Sequence, residues 1–67
     1  MKKEIIKELS LLTIKGPTKF YLVAITGWYY SASKPPEELT HYGIEHHEGW
    51  MMREFETLKD VEKYLQR

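Results

Sequence analysis

The feature that most constrains this chain is its end, where a short strand runs directly into a capped amphipathic helix. Trp50-Met51-Met52-Arg53-Glu54-Phe55-Glu56 is dense in bulky side chains, and Thr57-Leu58-Lys59-Asp60 follows with the order of a helix start. A threonine there accepts a hydrogen bond from the third helical amide, and an acid in the first turn meets the positive end of the helix dipole. A helix is therefore predicted to begin at Leu58. Its apolar members Leu58, Val61 and Leu65 recur at spacings of three and four and share one face, which needs a sheet to rest on.

A chain of 67 residues is a single domain, 1–67, near the lower size limit for folding without staples. No cysteine is present, which removes disulfides, thiolate metal sites and cysteine nucleophiles, and suits a cytoplasmic, reducing location. Nearly every large apolar side chain is needed for the core, leaving little for a deep pocket. The longest apolar run, Phe20 to Ile25, is far too short to span a membrane. Lys7 and Glu8 interrupt any signal-like apolar region behind the basic start.

Net charge is zero, but the halves differ. Lys2, Lys3, Lys7, Lys15, Lys19 and Lys34 against Glu4 and Glu8 leave residues 1–34 at +4, and the remainder balances it at −4. Internal charge balance on solvated faces explains this most simply; the alternative is a basic side available to phosphates.

From Lys2 to about Leu12, Ile5, Leu9 and Leu12 have helical spacing, and Lys and Glu fill the outer face. A shorter helix to Glu8, followed by a strand from Leu9 to Lys15, competes with this assignment. Gly16-Pro17 ends either element. Lys19 to Thr26 is apolar on both parities, as expected of a central strand. Gly27 interrupts as a bulge or bend before Trp28, Tyr29 and Tyr30. Ser31 to Glu38 reads as a loop with one helical turn, since Pro36-Glu37-Glu38 has the order of a helix start. Tyr42 to Glu48 alternates as a half-buried strand, and a turn through Gly49 leads into the last one. The expected fold is α+β, a small two-layer domain in the order α-β-β-β-α, with an antiparallel three-stranded sheet and both helices on one face.

That order and length resemble double-stranded RNA-binding domains in topology alone. The second helix of that family opens on a run of lysines that grips phosphates, whereas here the first turn is Leu58-Lys59-Asp60 among acidic residues. The family's function is not carried over.

Three groups of residues invite a chemical reading. His41, His46 and His47, with Glu45 and Glu48, are of metal-ligating type. On a strand, however, His46 and His47 point to opposite faces. Glu45 and His47 share a face about 6.6 Å apart, and His41 lies roughly 20 Å from His47. No metal or other cofactor is assigned. Ser31, Ser33, His41 and Asp60 match no nucleophile signature, and the paired glutamates are ordinary surface residues, so no enzymatic activity is assigned either. The aromatic residues carry more weight. Alternation forces at least one of Trp28, Tyr29 and Tyr30 outward, and bulky residues at both parities of the last strand leave Trp50 and Met52 without a second layer to cover them.

The resulting expectation is a non-enzymatic binding or regulatory protein that meets a partner protein through an aromatic sheet face centred on Trp28, Tyr29, Tyr30, Trp50 and Met52. Small inhibitors of host machinery carried by phages or mobile elements are of this size class. Self-association of the same face, as a homodimer, is the nearest rival. The alternative from another class is a nucleic-acid-binding module that uses Lys15, Lys19 and Lys34 beside the exposed aromatics.

Overall fold

In the computed structural model, residues 1–66 are described, and tight turns fold the chain back on itself three times before the helix. The elements are β1 (Lys2–Thr13), β2 (Gly16–Ser31), β3 (Lys34–His46), β4 (Met51–Phe55) and α1 (Leu58–Leu65). Every neighbouring pair is antiparallel, in the spatial order β1-β2-β3-β4. Ile14-Lys15 and Ala32-Ser33 make the first two turns. In the third, Gly49 takes φ 104°, while the His46 amide donates to the Trp50 carbonyl and the Gly49 amide to the His46 carbonyl, both at 2.8 Å.

The expected α-β-β-β-α order is therefore corrected to β-β-β-β-α. The sheet has four strands where three were expected, and one helix where two were expected. The topological likeness to double-stranded RNA-binding domains falls with it. Lys2–Thr13 is extended and pairs with β2 along its whole length, so the helix predicted there fails, as does the helix to Glu8 in the alternative, whose strand from Leu9 is met as far as Thr13. A register slip between Ile5 and Lys7 explains the false helical spacing. The extra residue switches the strand's parity, since opposed residues in an antiparallel pair share a face. Ile5 stands opposite Val23, whereas Leu9 stands opposite Phe20, so these two residues lie on different faces.

The expected loop over Ser31–Glu38 is also corrected. After the Ala32-Ser33 turn, β3 begins at Lys34 and runs through both prolines. Between the pairs Tyr29↔Glu37 and Ser31↔Lys34 the register shifts, so Pro35 and Pro36 together oppose Tyr30. This irregularity, on a stretch with β2 as its sole neighbour, absorbs the missing amide donors. Gly27 makes no bend; it pairs regularly with Leu39.

The predicted helix start is correct. Thr57 is extended (φ −133°, ψ 159°), and its Oγ1 accepts from the Asp60 amide at 3.2 Å. Val61 is the buried residue of α1. Phe55, opposite Tyr42, holds its ring 5.4 Å from that of Tyr64, and the Arg53 guanidinium carbon lies 4.9 Å from the Tyr64 ring centre. These contacts seat α1 on the face that also bears Leu22 and Ile44.

The central position expected for Lys19–Thr26 is met by β2, which buries residues on both faces. Phe20 and Leu22 lie on the helix side with Ile44, whereas Val23 and Ile25 lie on the other. Val23 has no exposed surface although no helix covers it. Lys3 and Glu45 pair at 2.6 Å from positions opposite Ile25 and Tyr21, which brings their side chains across β2 beside Val23. Opposite Val23, Gly43 admits Met51 so closely that a Cβ there would meet the Met51 sulfur at 2.5 Å. A long charged stem and a thioether thus replace the missing second layer.

Candidate binding surface at the neck of the long hairpin

β2 and β3 outrun their neighbours. β1 ends its pairing at Lys2↔Thr26, and β4 ends at Phe55↔Tyr42. From Gly27 and Leu39 onward the two strands continue as a two-stranded ribbon, which helps stretch the molecule to 47 Å in its longest dimension. A ribbon with one neighbour per strand and no helix has no core in which to place side chains. Trp28, Tyr29 and Tyr30 are accordingly 58%, 68% and 75% exposed.

A groove of about 720 Å³ lies at the neck, where the ribbon leaves the four-stranded body. Ile25, Gly27, Tyr29, Leu39 and His41 line it, with Trp28 at the margin and Glu54 and Glu56 on the β4 side. By strand alternation and register, Ile25, Gly27, Tyr29, Leu39 and His41 all belong to the helix-free face. Gly27 leaves the floor open, since no atom lies within 4 Å of where its Cβ would be. On one wall the His41 Nε2 and the Glu54 carboxylate are 3.2 Å apart.

The rim is acidic. Glu54 and Glu56 line the β4 side, and Glu37 stands opposite Tyr29 on the same face beside the groove, whereas Glu38, opposite Trp28, belongs to the other face. At the body's edge Lys2 pairs with Glu4 at 2.9 Å. The hydrogen bond and charge of Glu4 raise the Lys2 pKa, with a smaller push from Glu38. The same hydrogen bond and charge hold the Glu4 carboxyl below its ordinary value.

The expected aromatic site divides in two. Trp28, Tyr29 and Tyr30 stay together on the ribbon, but Trp50 belongs to the opposite end of the sheet. Its ring stacks on His46 with centroids 4.3 Å apart and planes inclined by 10°, and meets the edge of Phe20 at 6.1 Å. Phe20 and Trp28 are eight residues apart along β2, roughly 26 Å. Met52 is half-buried at a third register shift, between the pairs Ile44↔Arg53 and Glu45↔Met51. Neither residue extends the ribbon surface. Leu39, Ile25 and the Gly27 floor were not singled out from sequence, although a glycine midway along an apolar strand is the signal that marks such a close approach.

The lysines of the nucleic-acid alternative are also dispersed. Lys15 is in the first turn, Lys34 opens β3 at the far end of the ribbon, and Lys19 sits 3.4 Å from Glu8. They form no common basic patch.

The histidines differ from expectation in one respect. The turn at residues 47–49 ends the strand at His46, so His46, His47 and Glu48 bring ligand-type atoms within 4.8 Å of one another. The opposite-face argument against His46 and His47 therefore fails. However, His46 is buried and its Nδ1 accepts from the Glu48 amide at 3.1 Å, which occupies one of the required lone pairs. His41 is committed separately, to Glu54. Among the described residues no helix is long and apolar enough to cross a membrane.

No protein-family model, no curated protein and no solved structure matches the chain.

Proposed function

We propose that the chain is a non-enzymatic binding or regulatory protein whose neck groove receives an apolar side chain from a partner protein, with Tyr29 and Trp28 as the flanking anchors. The observation that carries this reading is the open floor at Gly27 beneath exposed Tyr29 and Leu39. Aromatic anchors beside a preformed depression are the usual energetic centre of a protein interface. The partner's chemistry follows from the rim. Glu54 and Glu56 line the groove beside its apolar floor, and Glu37 shares that face opposite Tyr29, so the fitting surface carries Lys or Arg beside its apolar anchor. The same carboxylates repel phosphates and weigh against single-stranded nucleic acid stacking on Tyr29. A reducing cytoplasmic setting suits the cysteine-free composition.

The test compares capture from native cells by the wild type, by a Trp28→Ala/Tyr29→Ala variant and by a Glu37→Lys/Glu56→Lys variant. The expected result is a basic protein retained by the wild type, lost from both variants and released by raised salt. Equal recovery by all three proteins overturns the proposal. So does micromolar, steeply salt-dependent binding of single-stranded DNA or RNA that survives the aromatic substitutions.

A further inference from the structure

The outer edge of β1 is unlike the other exposed edges. β4 is 5 residues long, whereas β1 offers 12 residues with β2 as the sole neighbour. A long strand edge leaves outward amides and carbonyls unpaired by protein, and natural sheets normally blunt such an edge. Here Ile5 and Ile6 lie midway along it, 65% and 49% exposed. The charges on either side of them read Lys3-Glu4 before and Lys7-Glu8 after. Reversed end to end, this pattern is its own complement.

We propose that β1 pairs antiparallel with β1 of a second copy, about a two-fold axis beside Ile5 and Ile6. In that register Glu4 opposes Lys7 of the second copy and Lys3 opposes Glu8, and symmetry repeats each pair. A two-fold pairing of antiparallel strands requires opposed residues to share a face of the sheet. In a regular strand Glu4 and Lys7 would lie on opposite faces. The bulge between Ile5 and Lys7 changes this: Glu4 stands opposite Ala24 and Lys7 opposite Leu22, which share a face, as do Ile25 and Tyr21 opposite Lys3 and Glu8. The bulge that disguises β1 in the sequence therefore makes the strand self-complementary. Registers centred on Lys7 or Glu8 set like charges against each other, so the lysines that deter indiscriminate pairing select this one.

The present partners of these charges are exposed surface pairs, Lys2–Glu4 at 2.9 Å and Lys19–Glu8 at 3.4 Å, together with Lys3–Glu45, in which Lys3 keeps about half its side-chain surface exposed. Exposed pairs such as Lys2–Glu4 and Lys19–Glu8 are worth little, and exchanging them costs little, whereas Glu45 is only 15% exposed and keeps Lys3, whose exposed half also faces Glu8 of the second copy. The contact joins two four-stranded sheets into one continuous sheet. It does not rest on the neck groove, and both ribbons point away from the axis.

Sedimentation analysis from micromolar to submillimolar concentration tests the proposal. The wild type is expected to show a monomer–dimer equilibrium that weakens with salt. Lys7→Glu places a carboxylate against Glu4 of the second copy and should raise the dissociation constant about tenfold or more. Glu4→Lys/Lys7→Glu, which swaps the signs, should restore the wild-type value. Both residues are exposed, so circular dichroism is expected to be unchanged. Hydrogen exchange gives an independent readout, with the outward-facing amides of β1 slowing as concentration rises. Monomer mass at all concentrations, a dimer indifferent to Lys7→Glu, failure of the swap to rescue, or β1 exchange independent of concentration would each overturn the proposal.

Discussion

The ring of His46 lies flat against that of Trp50, 4.3 Å away, while Phe20 presents its edge to both, 5.1 Å from His46 and 6.1 Å from Trp50. This cluster closes the helix-side core at the β3–β4 turn, and half-exposed Trp50 is its lid over a His46 that keeps 8% of its surface. Trp50→Ala is expected to destabilise the fold by about 2 kcal/mol, less than a fully buried aromatic would, because half of the indole is already in water. Trp50→Phe should recover much of the loss by restoring the stack. Urea denaturation of the two variants measures both effects.

α1 is held by a cap and one buried side chain. Thr57 Oγ1 accepts from the Asp60 amide and donates to the Asp60 carboxylate at 3.0 Å, which satisfies an amide that the helix itself cannot. Thr57→Ala should cost about 1 kcal/mol. Val61 is 1% exposed, and Val61→Ala should cost about 2 kcal/mol from two lost methyl groups and the space left beneath the helix. Helical circular dichroism followed through thermal unfolding distinguishes the two, since loss of the cap frays the first turn whereas loss of Val61 loosens the whole helix.

The sequence made this helix legible because Thr57, Asp60 and the spacing of Leu58, Val61 and Leu65 act within a few residues of one another. It made β2 legible as well, because a strand buried on both faces needs apolar residues at both parities. The expected strand over Tyr42–Glu48 is met by the second half of β3 as far as His46, but β1 and the first half of β3 were not legible, for the same physical reason. Each contains a slip in register, at Ile6 and at Pro35-Pro36, and one inserted residue turns an alternating pattern into one that imitates another element. Ile5 and Leu9 looked like one helical face but occupy two faces of a sheet. At the candidate surface, exposure of Trp28, Tyr29 and Tyr30 followed from alternation. That Trp50 would turn away to stack on His46 depended on the third turn, a long-range consequence that no local pattern contains.

Acid titration should single out Glu4. Its carboxyl titrates below the ordinary range because Lys2 hydrogen-bonds and neutralises it. A depressed folded-state pKa contributes stability above the unfolded value and loses it as pH falls through the folded one. The pair is fully solvated, so the effect belongs in a chemical-shift titration rather than in global stability. Glu4 should protonate below the ordinary carboxylate range, and Lys2→Ala should return it toward that range.

Gly27 offers a way to separate folding from binding. No atom lies within 4 Å of its prospective Cβ, and its φ is not in the left-handed region, so a side chain is accepted without strain. Glycine inside a strand carries an entropic penalty, and Gly27→Ala should therefore stabilise the fold by roughly 0.5–1 kcal/mol. Gly27→Val, with its β-branched preference for extended backbone, should be at least as stable as the wild type. Both substitutions fill the floor of the groove between Tyr29 and Leu39, where the partner's apolar side chain is proposed to sit. Partner capture should fall with Ala and vanish with Val while thermal stability holds or rises. A Gly27→Val protein that is stable and still binds would show that the groove is not where the partner docks, whatever the role of the aromatic residues around it.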